Sequence, residues 1–510
     1  MGSGIGGLVA ALHLSARGLD VTVCERAATP GGKIREVAIG DERIDSGPTV
    51  LTMRGVLEEI FAAGGASLAD AVTLRPLDVL ARHAWTGGET LDLHADPERS
   101  AEAIRAFAGP AEADGFRAFR ARARATYETL EGPFIRQGRT SMPGLVARVG
   151  PARLGALLAI SPFTTLARAL ENHFADPRLR QLFGRYATYC GSSPYRAPAT
   201  LMLVAHVEQE GVWTVEGGLY RLVEALVRLA EARGARFRYG AEVERIETDR
   251  HRGVTGIVLR GGDVVPADAV VLNADAGTLA AGLFGTDVGR AAPVMRERDR
   301  SLSALTWSVV GRTAGTELAH HTVFFSDDYP AEFAAIRAGR PPDDPTVYVC
   351  GQDRGPGTPG PTGPERLFLI VNAPATGDRS PLTAKEIAQC ETRTFRRLER
   401  CGSSVRPEPG SSVVTTPSDF AGAFPGTGGA LYGRASHGWM ASFQRPGSRS
   451  RVPNLYLAGG STHPGPGVPM AAISGALAAR ALCQDLGLAQ APASTRPSRR
   501  AAMPGGMSTR

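Results

Sequence analysis

The period of the apolar positions changes along this chain, and each change predicts a different kind of element. A helical run follows the first glycines, Gly18 turns the chain, and a β-branched strand ends at Glu25. Residues from about 100 to 210 carry a mostly helical pattern broken at Pro110, Pro133, Pro143, Pro151 and Pro162. The clearest helix presents Leu219, Leu222, Val223, Leu226, Val227, Leu229 and Ala230 on one side and stops at Gly234. Strands are predicted next at 236–239 and 243–246. A hairpin of 256–260 against 263–266 follows, then a buried strand at 269–272 that ends on Asn273-Ala274-Asp275. Between about 300 and 445, strand-like pieces at 304–310, 346–350 and 367–371 alternate with loops and one helix around 385–399. Last come a strand at 455–458, a Gly/Pro-rich loop to Pro469 and a helix of small residues from 470 to 482. The tail after about 488 is rich in Pro, Ser and Arg and is expected to be disordered.

Strands alternating with helices at both ends, and in the stretch from 212 to 298, predict an α/β chain with a Rossmann-like nucleotide-binding domain that is discontinuous in sequence. Its expected segments are 1–75, 212–298 and 450–487. The segments 76–211 and 299–449 are expected to form an α+β substrate domain facing a membrane.

The chemistry begins in the first turn. Gly2, Gly4 and Gly7 make G-x-G-x-x-G, with Gly6 inside it. Gly2 permits the tight turn, Gly4 the approach of a pyrophosphate, and Gly7 the close packing of helix on sheet. The helix N-terminus presents free N–H groups and a positive dipole end to phosphates. Glu25 stands where an acidic side chain accepts hydrogen bonds from a ribose. This fingerprint normally opens with a buried strand of about six residues before the first glycine. Here only Met1 precedes Gly2, so the natural protein is expected to begin further upstream. A second formal match, from Gly355 to Gly360, contains two prolines and opens no helix, so it reads as a loop. One dinucleotide site is therefore expected, and none for a nicotinamide cofactor.

Composition narrows the partners. A net charge of +6 on 510 residues is too diffuse for nucleic acid and suits a mild attraction to anionic membrane surfaces. Arginine supplies nearly all of the basic charge, with lysine only at Lys33 and Lys385. The cysteines Cys24, Cys190, Cys350, Cys390, Cys401 and Cys483 show no CxxC and no metal-ligand spacing, so no metal is expected. No run reaches the roughly eighteen apolar residues of a membrane span. The stretch 144–170 mixes apolar residues with isolated arginines, and reads either as core or as a surface that lies on a membrane. Arg117, Arg120, Arg122 and Arg124 read as a solvated helix face or, alternatively, as a headgroup contact. Asp45 in the DSGPT elbow reads as a satisfied turn residue or as part of a site, and no catalytic set of Ser/His/Asp type is evident.

Taken together, the segments 2–25, 30–33, 45–49 (DSGPT), 216–219 (EGGL) and 458–472 (AGGSTHPGPGVPMAA) resemble the FAD-dependent carotenoid desaturases of the bacterial phytoene desaturase type, in the flavoprotein amine oxidase superfamily. The DSGPTVLTM and HPGPGVPM variants are most similar to the branch acting on 1-hydroxylated carotenoids, the 1-hydroxycarotenoid 3,4-desaturases. The resemblance implies FAD as cofactor, with Gly2, Gly4, Gly6 and Gly7 at the pyrophosphate and Glu25 on the adenosine ribose. Gly32, Lys33 and Arg35 are implied along the cofactor, Val243 near the adenine, and Gly459, Gly460, Gly467, Val468 and Met470 beside the flavin ring. It implies C-3,4 desaturation of a carotenoid by hydride loss to flavin, at the cytoplasmic side of an inner or photosynthetic membrane, with a quinone or oxygen as electron acceptor. Alternatives left open are a phytoene desaturase, a carotenoid ketolase or isomerase, and a non-enzymatic isoprenoid-binding member of the superfamily. The proton acceptor is unassigned; His463 is either a base or the residue that fixes the THPG loop.

Overall fold

The computed structural model describes residues 1–488 apart from 140, 152, 153, 250, 252, 358 and 359. The tail expected to be disordered and part of the 355–360 loop lie outside the described residues. Two parallel ladders lie side by side, Thr22–Cys24 on Arg236–Arg238 and Val270–Leu272 on Leu455–Leu457. Met1 and Gly2 run between them. The Gly2 N–H donates to the Cys24 carbonyl at 2.8 Å, the Met1 amino group to the Val271 carbonyl at 2.9 Å, and the Asn273 N–H to the Met1 carbonyl at 2.8 Å. The array sends Gly2, Glu25, Asn273 and Gly459 to its carboxyl edge, where open α/β sheets bind ligands.

Three helices cover this array: Ile5–Ser15, Tyr220–Ala232 and Val468–Asp485. The first and last cross at backbone distance, since a Cβ on Gly475 would stand 2.1 Å from the Gly6 carbonyl oxygen. Leu8, Val9, Leu12, Leu222, Leu226 and Ala472 fill the core beneath. The helix Tyr220–Ala232 starts where it does because Asp45 caps it. The carboxylate accepts from the Leu219 N–H at 2.5 Å and the Tyr220 N–H at 3.2 Å, satisfying donors that a helix start leaves free. Gly218, at φ +99°, leaves room for that carboxylate. DSGPT and EGGL are thus two halves of one contact.

The second sheet has seven strands, in the order Ser403–Thr415, Ser303–Gly315, Glu365–Ala373, Val347–Gly351, His321–Phe324, Val79–Ala84 and Thr90–His94. Sequence patterning locates three of them. Ser403–Thr415 escapes it because Pro407, Pro409 and Gly410 interrupt the run; it is tolerated at a sheet edge, where it pairs only with Ser303–Gly315. Likewise Val243–Asp249 extends three residues beyond the predicted strand, since only Ile246 is buried and its neighbours are charged. Helices between 97 and 209 pack on this sheet around Phe116, Phe119, Phe174 and Phe183.

The arginine-rich helix is laced with ion pairs, while Arg120 and Arg122 are half-buried. Arg117 binds Glu98 and Asp114, and Arg124 binds Glu128, while Arg122 reaches Ser161. Among the described residues no helix is long and apolar enough to cross a membrane.

Replacing Gly475 with valine forces the first and last helices apart. The expected cost is about 1–3 kcal/mol of stability, read as a lowered midpoint in chemical denaturation. A variant as stable as the parent would show that the two helices do not meet at Gly6.

Candidate cofactor and substrate site

The glycines at the start of the chain sit where side chains cannot. A Cβ on Gly4 would be 2.7 Å from Asn273 Oδ1, one on Gly6 2.8 Å from the Gly459 nitrogen, and one on Gly7 2.1 Å from the Gly2 carbonyl oxygen. Gly2 has φ +86°, and Gly32, at φ +60°, faces the Gly4 Cα at 3.1 Å from its own would-be Cβ. Gly459 has φ +116° and donates its N–H to Ser474 Oγ at 2.7 Å. Segments from the two ends of the chain therefore close into one cradle. The helix Ile5–Ser15 opens into it on Gly4 with no side-chain cap, so its dipole end and first N–H groups are held ready for an anion.

Glu25 lies beside this cradle. It accepts from the Ser3 N–H at 2.7 Å, the Ser3 hydroxyl at 2.9 Å and the Ala27 N–H at 2.9 Å. Val243 packs nearby in the cluster that holds Cys24 and Met1. Arg35 points elsewhere: it donates to Thr415 Oγ1 at 3.1 Å and lies over the Phe420 ring. Lys33 donates to the Leu431 carbonyl, beside the Phe424 ring. Both cations thus tie the first segment to the second sheet's loops.

Two charged side chains to which sequence patterning gave no role, Asp275 and Arg445, gather around Lys33. Asp275 and Arg445 both act on the Lys33 ammonium, and burial holds that ammonium below the usual lysine range. Burial likewise raises the Asp275 carboxyl, against the attraction of Lys33. Its Oδ2 is buried without a hydrogen-bond partner. Arg445, buried, donates to the Tyr432 and Gly460 carbonyls at 3.0 and 3.2 Å, and burial lowers its guanidinium to about 10. Asp275 follows a strand end, which is the one sequence signal that could have marked it. Arg445 has no such signal, because its partners are carbonyls distant in sequence.

A cavity of about 560 Å³ adjoins the cradle at Gly467, Val468 and Met470, where the helix Val468–Asp485 begins. Its wall is mostly hydrocarbon, with Leu130, Leu145, Ile160, Leu201 and Phe443 facing it, and Thr200, Ser436, Ser442 and Arg445 among the polar residues that share the lining. Three lining side chains also meet solvent, Val146, Trp439 and Phe163, the last 70% exposed. Thr52 and Glu208 also line it, the latter only 2% exposed. Leu145, Val146, Ile160 and Phe163 belong to the 144–170 stretch, which is therefore both core and surface. Gly460 adjoins this wall, beside Pro466 and with its carbonyl accepting from Arg445.

His463 does not line the cavity. Its Nε2 hydrogen-bonds the Phe134 carbonyl at 2.9 Å, its ring meets Phe134 edge-on, and its peptide to Pro464 is cis. It ties the THPG loop to the cavity wall. Elsewhere, His320, His321 and Cys350 bring possible ligand atoms within 4.8 Å of one another between two strands of the second sheet. His320 is bonded to the Arg354 carbonyl at 2.7 Å and approaches Cys350 Sγ at 3.7 Å, so the group is at least partly satisfied internally.

Known proteins place this geometry in context. A profile of the flavin containing amine oxidoreductases matches residues 5–483. A hydroxyneurosporene desaturase of Rubrivivax gelatinosus is 52% identical over 100% of this chain and 96% of its own length. A protein of the same name from Cereibacter sphaeroides is 45% identical over 95% of this chain and 97% of its own. Among solved structures, a putrescine oxidase bound to putrescine superposes with a TM-score of 0.57 at 15% identity, covering 95% of this chain and 98% of that one. That last likeness concerns the fold alone.

Burial lowers His463 from 6.5 to about 4. The unfolded chain then binds the extra proton first, so the stability His463 confers is full above pH 6.5 and is lost as pH falls toward 4. His13 and His437 are lowered to the same range and act in the same window. Between pH 7 and pH 5 the parent should therefore lose about 2 kcal/mol more stability than His463→Gln, measured by denaturant titration at both pH values. Equal losses would place the His463 ring in contact with water.

Proposed function

The chain belongs to the flavin-containing amine oxidoreductase family, and from that premise we propose that it is a carotenoid desaturase, removing two hydrogens across C-3,4 of a 1-hydroxylated carotenoid. The observation that carries the reading is the largely apolar cavity, whose lining includes both the exposed aromatics Phe163 and Trp439 and the helix start beside the glycine cradle. The two relatives at 52 and 45% identity bear a desaturase name. This favours desaturation over the ketolase, isomerase and non-enzymatic readings.

The protein is an FAD-dependent oxidoreductase, and the cradle suits that cofactor. A helix start without a side-chain cap faces the glycines, an acidic side chain ends the neighbouring strand, and Asp275 Oδ2 is buried without a partner. In our assignment Gly2, Gly4, Gly6 and Gly7 hold the pyrophosphate, Glu25 the ribose, and Val243 the adenine. Gly32 and Lys33 lie along the cofactor, and Gly459, Gly460, Gly467, Val468 and Met470 border the ring. Arg35 serves instead to join the two lobes. We assign residues 1–75, 212–298 and 450–487 to the cofactor lobe, with 76–211 and 299–449 forming the substrate lobe. When bound, FAD accepts the electrons that leave the substrate. The chain's own residues exclude water and hold the polyene: C–H bonds of this kind are too weakly acidic for an unaided side chain, and positioning is the protein's main contribution.

Substrate supply follows from the mouth. Each CH2 of a polyene gains roughly 0.8 kcal/mol on leaving water, but a carotenoid already resides in lipid. Moving it into an apolar cavity gains little, so the protein must meet the membrane. Phe163 and Trp439, in edge-on contact at 5.3 Å, form the docking surface on the cytoplasmic face of an inner or photosynthetic membrane. A membrane quinone or oxygen then takes the electrons onward.

Purified full-length protein should show a flavin spectrum and convert a 1-hydroxylated carotene in liposomes to a product absorbing at longer wavelength. Gly4→Val should lose the flavin, because its side chain would collide with Asn273. A colourless parent protein that refuses FAD, or one that leaves every carotenoid unchanged, overturns the proposal. Replacing both Phe163 and Trp439 with Asp should reduce co-sedimentation with anionic vesicles by about tenfold or more; unchanged sedimentation places the docking surface elsewhere.

A further inference from the structure

Among the described residues lining the cavity, Glu208 is the one carboxylate. A charge on a hydrocarbon wall is costly unless it is paired and hydrogen-bonded. The pairing here is specific. Oε1 accepts from the Tyr186 hydroxyl at 2.6 Å and from Arg185 Nη2 at 3.5 Å. Oε2 accepts from the Tyr189 hydroxyl at 2.6 Å, and the Tyr189 oxygen in turn accepts from Arg185 Nη1 at 2.8 Å. Arg185, Tyr186 and Glu208 are all buried, and Tyr189 lines the cavity with Glu208.

Counting donors and acceptors shows what this wall offers a ligand. Both phenolic protons are committed to the carboxylate, and burial keeps both phenols protonated by raising them above the usual range. Glu208 Oε2 receives one hydrogen bond from Tyr189, and a carboxylate oxygen can accept two. The Tyr189 oxygen has given its proton and taken one from Arg185. Toward the cavity the group can therefore accept a hydrogen bond and has no phenolic proton left to donate. A hydrocarbon ligand finds no partner there, and an ether or ketone oxygen meets lone pairs with lone pairs. An alcohol supplies the missing donor.

We propose that Glu208, backed by Tyr189, is the subsite for the hydroxyl group of an otherwise hydrocarbon substrate, and that it selects an alcohol over both the bare hydrocarbon and the alkyl ether. This rests on the carotenoid reading above and deepens it, since it names the group that distinguishes one polyene from another. Thr52, Thr200, Ser436, Ser442 and Arg445 also line the cavity, but each of them can donate a hydrogen bond; Glu208 with Tyr189 is the part of the lining that can only accept one. Hydrogen bonds to a charged acceptor in a dry site are among the stronger ones, and a site built for a hydroxyl rejects the analogue lacking it more sharply than shape alone can.

The test is a binding measurement on the FAD-loaded full chain, following the absorbance shift of three carotenoids of equal length: a terminal tertiary alcohol, its methyl ether and the unsubstituted hydrocarbon. The parent should bind the alcohol on the order of 10- to 100-fold more tightly than either analogue. Glu208→Gln replaces an acceptor with a group that also donates, so the preference for alcohol over ether should collapse to within about twofold. Tyr189→Phe leaves the Glu208 carboxylate in place and frees Oε2, so the alcohol preference should persist or rise. Flavin absorbance and circular dichroism establish that each variant is folded. Equal affinity of the parent for all three carotenoids overturns the subsite while leaving desaturation standing. Retention of the full preference in folded Glu208→Gln, or its loss in folded Tyr189→Phe, also overturns it. Failure of the parent to bind any carotenoid overturns the carotenoid reading itself, and the subsite with it.

Discussion

Everything in this molecule depends on three pieces of backbone being allowed to touch. Gly6 lies against Gly475 and Gly459, and Gly4 against the Asn273 side chain, each at a distance where a methyl group would collide, and Gly32 packs tightly on Gly4. These contacts bring residues from the two ends and the middle of the chain to one carboxyl edge. They also leave a helix start without a side-chain cap, facing the cradle. Elsewhere an uncovered helix start is a defect to be capped, as Asp45 caps the helix Tyr220–Ala232. At Gly4 no side chain caps the helix, and in the assignment proposed above a phosphate does what a capping side chain would otherwise do.

The parts of the site visible in sequence are those whose physics is local. A glycine spacing, a helix and a strand ending in Glu25 are all written within twenty-five residues, and 458–472 is similarly compact. DSGPT and EGGL were visible as motifs but not as a pair. Asp45 and Gly218 meet across more than 170 residues, and nothing in either segment states that one caps the helix begun by the other. Arg445, Asp275 and Glu208 were hidden for the same reason, since each takes its role from partners distant in the chain. Arg35 was implied along the cofactor by the family resemblance, and its observed partners lie in the second sheet and the helix after it. Its guanidinium is engaged by Thr415 and Phe420.

In the second sheet, legibility follows burial. The central strands Glu365–Ala373 and Val347–Gly351 are apolar enough to announce themselves. The edge strand Ser403–Thr415 is half polar and contains two prolines, so its identity comes from its partner. The 144–170 stretch resists a single label because Leu145 and Ile160 are buried while Phe163 is exposed. Its apolar residues serve one cavity from two sides, and a periodicity argument can assign a helix only one face.

On the membrane reading proposed above, the exposed rim of that cavity would also determine what concentration means to this protein. If the mouth formed by Phe163 and Trp439 opens onto lipid, the substrate never travels through water, and its encounters with the site are counted per unit of membrane area. Diluting the vesicle suspension with buffer would leave the substrate's mole fraction untouched. Adding empty lipid at constant volume would thin the substrate within the same surface and slow its capture. The rate would then respond to how crowded the bilayer is with carotenoid, and the pigment content of the membrane would itself set the pace of its own modification.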